Sequence, residues 1–282
     1  MRQSTPTETG WLAGRHPYVR VGDGPKSLLV ISGLSDAMFD GSYGRLDAAM
    51  VRYSFRRFLE EYTVYVVSRP RGLPDGTTIG ELAEDYARLI ETEDRLERPS
   101  VLGISMGGMI ALELSRREPA LVDRLVLGVS GCRVAETSVQ TLRRYRWYAL
   151  EHDWLTLRSE LLREMHTGYR RRLYPTLSTT VGRLRPPTPA DGRDVVVSID
   201  AVLEYDASDD LAAVEPRTLV IGGDEDPFFP EAILRETHEG LPDAQLAMFT
   251  GARHGAFLER KEGFDNWVRQ FLAGEPARIP QR

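Results

Sequence analysis

Gly103-Ile104-Ser105-Met106-Gly107-Gly108 follows the apolar run Ser100-Val101-Leu102 and leads into the helix-compatible run Met109-Ile110-Ala111-Leu112-Glu113-Leu114. A serine between two glycines, where a strand passes into a helix, predicts a sharp turn with the serine oxygen at its apex. The small flanking residues let the chain turn tightly. The new helix points its free N–H groups, and the positive end of its dipole, at that oxygen. Ser105 is therefore a candidate covalent nucleophile, provided the rest of the chain supplies a base and an acid.

Outward from this turn, short apolar stretches alternate with helical patterns. Ser27-Leu28-Leu29-Val30-Ile31 reads as a buried parallel strand that ends in a Ser32-Gly33 loop. Tyr18-Val19-Arg20-Val21 reads as an edge strand before it. Residues 44–61 are helix-compatible, with Leu46, Met50, Phe55 and Phe58 as inward anchors. Tyr62 to Val67 is another strand, and Thr78 caps the next helix with Glu81 at the capping-box position. Leu125 to Val129, Thr218 to Ile221 and Gln245 to Phe249 continue the strands. Helices are expected from about Pro230 to Glu239 and Lys261 to Leu272. This alternation predicts an α/β architecture, a mostly parallel sheet with helices on both faces.

The alternation stops near Gly131. From Val134 to about Asp210 the pattern is helical, rich in Arg, Leu and Tyr, and interrupted at Pro175 and at Pro186-Pro187-Thr188-Pro189. It reads as an inserted helical cap. Residues 1–132 and 211–282 form the core on this reading, and 133–210 the cap. The end, Gly274 to Pro280, reads as a loose tail.

A chain of 282 residues is long enough for one large core with such an insertion. Hydrophobic residues at 41% and charged residues at 28% fit a soluble globular protein. The net charge of -6 argues against a nucleic-acid partner, which needs a basic face. With Cys132 as the single cysteine, no intrachain disulfide and no cysteine-rich zinc site can form. The opening Met1 to Thr7 lacks the apolar core of a secretory leader, and no stretch is long enough to span a bilayer. The expectation is a cytoplasmic protein with no membrane partner. His16, His152, His166 and His238 show no metal-ligand spacing, so no metal is implied. The oligomeric state is not readable.

A serine hydroxyl is a poor nucleophile at neutral pH. It needs a histidine to take its proton and a carboxylate to hold that histidine in the correct tautomer. Asp226 follows the strand Thr218-Leu219-Val220-Ile221, within Gly223-Asp224-Glu225-Asp226-Pro227-Phe228-Phe229-Pro230. His254 follows the strand that ends at Phe249. Both stand after strands, where a parallel sheet gathers its functional loops.

With these residues in the order Ser105, Asp226, His254, the sequence resembles the α/β-hydrolase family in its cap-bearing serine branch, from about Tyr18 to Leu272. Members commonly carry the acid in Gly-x-x-Asp-x-x-x-Pro, which matches Gly223, Asp226 and Pro230 and favours Asp226 over Asp224. His254-Gly255 matches the family's histidine before a small residue. The resemblance further implies an oxyanion hole made by the backbone N–H groups of Met106 and Leu34. Two departures stand out. Ser32-Gly33-Leu34 replaces the His-Gly of many relatives. Ser68-Arg69-Pro70-Arg71-Gly72-Leu73 stands where relatives often have Asp-x-x-Gly-x-Gly. Arg69 and Arg71 read either as solvated loop charges or as groups facing a substrate acid.

The activity implied is cleavage of a small-molecule carboxylic ester, lactone or thioester through an acyl-enzyme, with no cofactor. Peptide or amide hydrolysis, carbon–carbon bond hydrolysis and non-enzymatic ligand binding are the alternatives on the same fold. An aminopeptidase would place acidic residues such as Glu151, Asp153 or Glu164 around the substrate amine. In the cap, Tyr145, Trp147, Tyr148 and Trp154 either pack helices together or line the substrate pocket. Trp147, Tyr148 and Trp154 are the expected substrate contacts.

Overall fold

A computed structural model describes residues 6–184 and 186–275. The strands are β1 (Thr7–Leu12), β2 (His16–Val21), β3 (Lys26–Ile31), β4 (Tyr62–Val67), β5 (Ser100–Ile104), β6 (Arg124–Gly128), β7 (Arg217–Gly223) and β8 (Ala244–Phe249). They form one eight-stranded sheet in the order β1-β2-β4-β3-β5-β6-β7-β8. The pairings β1/β2 and β2/β4 are antiparallel, and all pairings from β4 to β8 are parallel. This is the mostly parallel sheet expected from the alternation of strands and helices, and the α/β-hydrolase fold that the family resemblance implies.

The central strands are apolar and buried beyond their first residues because both faces of the sheet are covered. Successive side chains point to opposite faces. Leu29 and Ile31 of β3 pack into one core, with α2 (Ile79–Thr92) and α3 (Met106–Arg117). Leu28 and Val30 pack into the other, with α1 (Arg45–Ser54) and the C-terminal α10 (Lys261–Leu272). α2 starts as expected. Thr78 Oγ1 accepts from the Glu81 N–H at 3.1 Å, and Glu81 Oε2 accepts from the Thr78 N–H at 2.8 Å.

Three local expectations are corrected. Tyr18 to Val21 does not lie at the edge, because β1 pairs outside β2 through a turn in which Ala13 and Gly14 have φ of 47° and 66°. The mixed polar pattern of Thr7-Glu8-Thr9-Gly10-Trp11-Leu12 hides this strand, since most of it faces solvent. In α1, Leu46 and Met50 are 72% and 61% exposed. The inward stripe is Ala48, Val51 and Phe55, at helical spacing, with Phe58 beyond the helix. Pro175 does not interrupt its helix but is buried inside it. Its ring removes one backbone hydrogen bond, while its carbonyl accepts from Ser159 Oγ of the neighbouring helix at 3.4 Å.

Between β6 and β7 the chain forms α4 (Val139–Leu150), α5 (Trp154–Met165), α6 (Arg170–Thr180) and α7 (Gly192–Glu204). It leaves and rejoins the sheet layer at one point, where Arg133 and Asp206 form a β-bridge and the Ala207 N–H donates to the Cys132 carbonyl at 3.0 Å. Cys132 is fully buried there. After β7 come α8 (Glu231–Gly240) and, after β8, the short α9 (Ala256–Glu259). Among the described residues, no helix is long and apolar enough to cross a membrane. The expected loose tail lies, from residue 276 onward, outside the described residues.

Chain order reverses at β3. Its successor β4 lies on one side and β5 on the other. The carboxyl ends of β3 and β5 therefore flank a crevice, the position where open α/β sheets place their sites.

Candidate active site

Ser105 follows β5 and caps α3 with φ 55° and ψ -123°, a conformation L-residues rarely adopt. The turn is tight because backbones touch. A Cβ on Gly103 would lie 2.4 Å from the Gly107 carbonyl oxygen, and one on Gly107 would lie 2.1 Å from the Ile31 carbonyl oxygen. Glycine is thus a steric requirement on both sides of the serine.

The residues predicted to work with Ser105 converge on it. His254 Nε2 lies 2.9 Å from Ser105 Oγ, and His254 Nδ1 lies 2.8 Å from Asp226 Oδ2. Asp226 Oδ1 accepts the N–H groups of Phe228 and Phe229 at 2.9 and 3.1 Å. A carboxylate only accepts hydrogen bonds, so Nδ1 carries the imidazole proton. The lone pair of Nε2 then faces the serine hydroxyl. Asp226 is 1% exposed and His254 8%. The ring of Phe228 packs against the imidazole at 4.9 Å, edge-on, which fixes its plane. Asp224 points elsewhere and accepts the Gly251 N–H at 2.8 Å.

Leu34 and Met106 are each the first residue of a helical turn. Leu34 opens the 3-10 segment Leu34–Met38 behind Gly33, and Met106 opens α3 behind Ser105. The N–H groups of first helical residues have no acceptor within their own helix. A Cβ on Gly33 would stand 3.7 Å from Ser105 Oγ, so the two turns meet over the serine. Leu34, Met106, Ser105 and His254 all line one cavity of about 90 Å³.

The wall of that cavity is apolar, made by Leu142, Tyr145, Leu161, Met165, Val202, Phe228, Phe229 and Phe257 among others. Trp147, Tyr148 and Trp154 do not line it. α4 turns Leu142, Tyr145 and Ala149 inward at helical spacing, which leaves Trp147 55% exposed and paired with Tyr148 at 5.2 Å. Trp154 packs against His152 and the backbone of Gly192. The aromatic lining that sequence reading missed, Phe228 and Phe229, stands directly after Asp226-Pro227.

None of the candidate amine ligands lines the cavity, and Glu151 is exposed. Glu164 pairs with Arg253, and Asp153 caps α5 by accepting the Thr156 N–H at 3.1 Å. With the Gly255 N–H donating to the Met165 carbonyl at 2.8 Å, the Arg253–Glu164 pair straps the histidine loop to the end of α5.

Arg69 and Arg71 are neither solvated nor in the cavity. Arg69 is 1% exposed, and both guanidinium groups pair with the buried Asp36, at 3.8 and 3.1 Å. Asp36, which sequence reading missed, also accepts from Ser68 Oγ at 2.6 Å. Burial pushes the Asp36 carboxyl up, but Arg69 and Arg71, with hydrogen bonds from Arg71 and Ser68, more than offset this and hold it below its ordinary value. A folded-state value below the unfolded one stabilises the protein fully above the unfolded value of about 3.9, and the gain is lost as pH falls through the folded value. Asp36→Asn also strands two buried cations, so it is expected to cost about 3–5 kcal/mol at pH 7. Urea unfolding of both proteins should show that gap narrowing below about pH 4.

A parallel sheet whose strand ends bring together a serine at a strained turn, an aspartate and a histidine, in that chain order, is the framework of the α/β hydrolases. The chain belongs to that family, which its residues 28–266 match. It is 30% identical over 189 residues to a 2-hydroxymuconate semialdehyde hydrolase of Pseudomonas putida, covering 63% of each chain. It is 25% identical over 221 residues to a pimeloyl-[acyl-carrier protein] methyl ester esterase of Vibrio campbellii, covering 75% of this chain and 85% of that one. The enol-lactonase of Burkholderia xenovorans superposes with a TM-score of 0.77 at 19% identity, over 94% of this chain and all of that one, a likeness of fold.

Proposed function

We propose that the protein is a serine hydrolase that cleaves a small carboxylic ester, or a lactone or thioester of similar shape, through an acyl-enzyme. The observation that carries this reading is the continuous line from Asp226 through His254 to Ser105, at 2.8 and 2.9 Å. His254 takes the proton of Ser105 as Oγ attacks the carbonyl carbon. The developing oxyanion is held by the N–H groups of Leu34 and Met106. Asp226 stabilises the imidazolium, which then protonates the leaving alcohol. Water enters, is deprotonated by His254, and releases the acid by the same route.

Residues 133–210 act in this reading as a cap that closes the cavity over Ser105. No charged side chain lines that cavity among the described residues. The wall thus favours a neutral, apolar substrate over one bearing an amine or a carboxylate. A cavity of about 90 Å³ is small and suits a short acyl group. The name of the methyl ester esterase among the similar proteins agrees with ester hydrolysis.

A panel of p-nitrophenyl esters, small lactones and aminoacyl p-nitroanilides tests the reading. In so small an apolar cavity, activity is expected to peak among acyl chains of about two to six carbons and to fall at least about tenfold for dodecanoate, whose further methylenes overpack the wall. Preferential cleavage of the anilides, or a rise with chain length through dodecanoate, would overturn it.

A further inference from the structure

Arg69 touches the peptide that carries the Leu34 N–H, and the side chain of Met106. Its Nη1 lies 3.3 Å from the Gly33 carbonyl oxygen, 3.5 Å from that of Ser32 and 3.2 Å from Met106 Sδ. The residue is 1% exposed and does not line the cavity. In a trans peptide the C=O and N–H point in opposite directions. The Gly33 carbonyl belongs to the same peptide unit as the Leu34 N–H. A cation fixed on that oxygen therefore aims the Leu34 N–H away from Arg69, toward the side where Ser105 Oγ stands. It also draws electron density from the amide nitrogen, which makes the N–H a stronger donor.

Local contacts complete the clamp. The Asp36 N–H donates to the same Gly33 oxygen at 3.1 Å, and the Asp36 carboxylate accepts the Arg69 backbone N–H at 3.2 Å. The 3-10 turn that carries Leu34 and the loop after β4 are thus one hydrogen-bonded unit. This gives a physical account of one departure read in the sequence, Arg69 in the loop after β4.

Taking Ser105 and the two N–H groups in the roles proposed above, we infer that Arg69 is a positioning residue that orients and polarises the oxyanion hole through the Gly33–Leu34 peptide. It touches no substrate atom. Its effect belongs to the transition state, when charge appears on the carbonyl oxygen, and not to ground-state binding.

Arg69→Met, Arg69→Lys and the double variant Asp36→Asn/Arg69→Met test this against the best ester of the panel. Arg69→Met leaves Asp36 paired with Arg71 at 3.1 Å, whereas the double variant removes that carboxylate and leaves Arg71 without its ion pair, so the two perturb the fold differently and either one carries the test if the other misfolds. For whichever methionine variant keeps the near-UV circular dichroism of the wild type, kcat should fall about 100-fold, with KM within about threefold. Affinity for a trifluoromethyl ketone, which forms an oxyanion on the serine, should fall in parallel. Arg69→Lys should recover at least about tenfold. A folded methionine variant with unchanged kcat and ketone affinity, in a wild type that is active, overturns this inference alone. A loss confined to KM or to thermal stability does the same. A wild type inert to the esters and unlabelled by a fluorophosphonate overturns the reading of the site, and this inference with it.

Discussion

Ser105→Ala is expected to lower kcat for a short-chain p-nitrophenyl ester by about 10⁵–10⁶-fold, while the protein stays folded. The size follows from what the change removes. Without Oγ there is no acyl-enzyme, and His254 has no hydroxyl to deprotonate. The proposed oxyanion donors and the cavity remain, and should sustain only the residual rate that binding and electrostatics give over water. Because the side chain sits at φ 55°, Ser105→Gly should be as inactive as alanine yet more stable by about 1 kcal/mol. Steady-state kinetics and urea unfolding of the two variants read the two effects separately.

Asp226→Asn should lower kcat by about 10⁴-fold, and the reason lies in the second oxygen of the carboxylate. Oδ1 accepts the Phe228 and Phe229 N–H groups at 2.9 and 3.1 Å. An asparagine must keep its oxygen on those two donors, so its NH₂ group turns toward His254 Nδ1. Nδ1 then has to accept, the ring proton moves to Nε2, and Nε2 can no longer take the proton of Ser105. KM should change little, because Asp226 is buried behind the histidine and away from the cavity wall. The tautomer is read independently by imidazole ¹⁵N shifts of His254.

The sheet was legible because parallel strands covered on both faces must be continuously apolar, and β3, β4 and β5 read that way. β1 was not, since its side chains mostly face water and its partner is set by the turn at Ala13-Gly14. At the site, Ser105, Asp226 and His254 were readable because each is tied to a strand end by local pattern. The cavity wall was not. Which face of α4 points inward depends on how α4 and α7 pack on the sheet, and that packing selects Tyr145 over Trp147. Arg69 and Arg71 were misread for a related reason. A charged pair in a loop looks solvated until its counter-ion is known, and Asp36 comes from the 3-10 turn after β3, far earlier in the chain.

The central claim is that Ser105 carries the acyl group. Its most direct test is acid-quenched mass spectrometry of the protein during turnover of a short-chain p-nitrophenyl ester, with peptide mapping and Ser105→Ala as the control. The account predicts one acyl adduct per chain on the peptide holding Gly103 to Gly108, absent from the variant. Full turnover by the variant, or an adduct on any other residue, would contradict it.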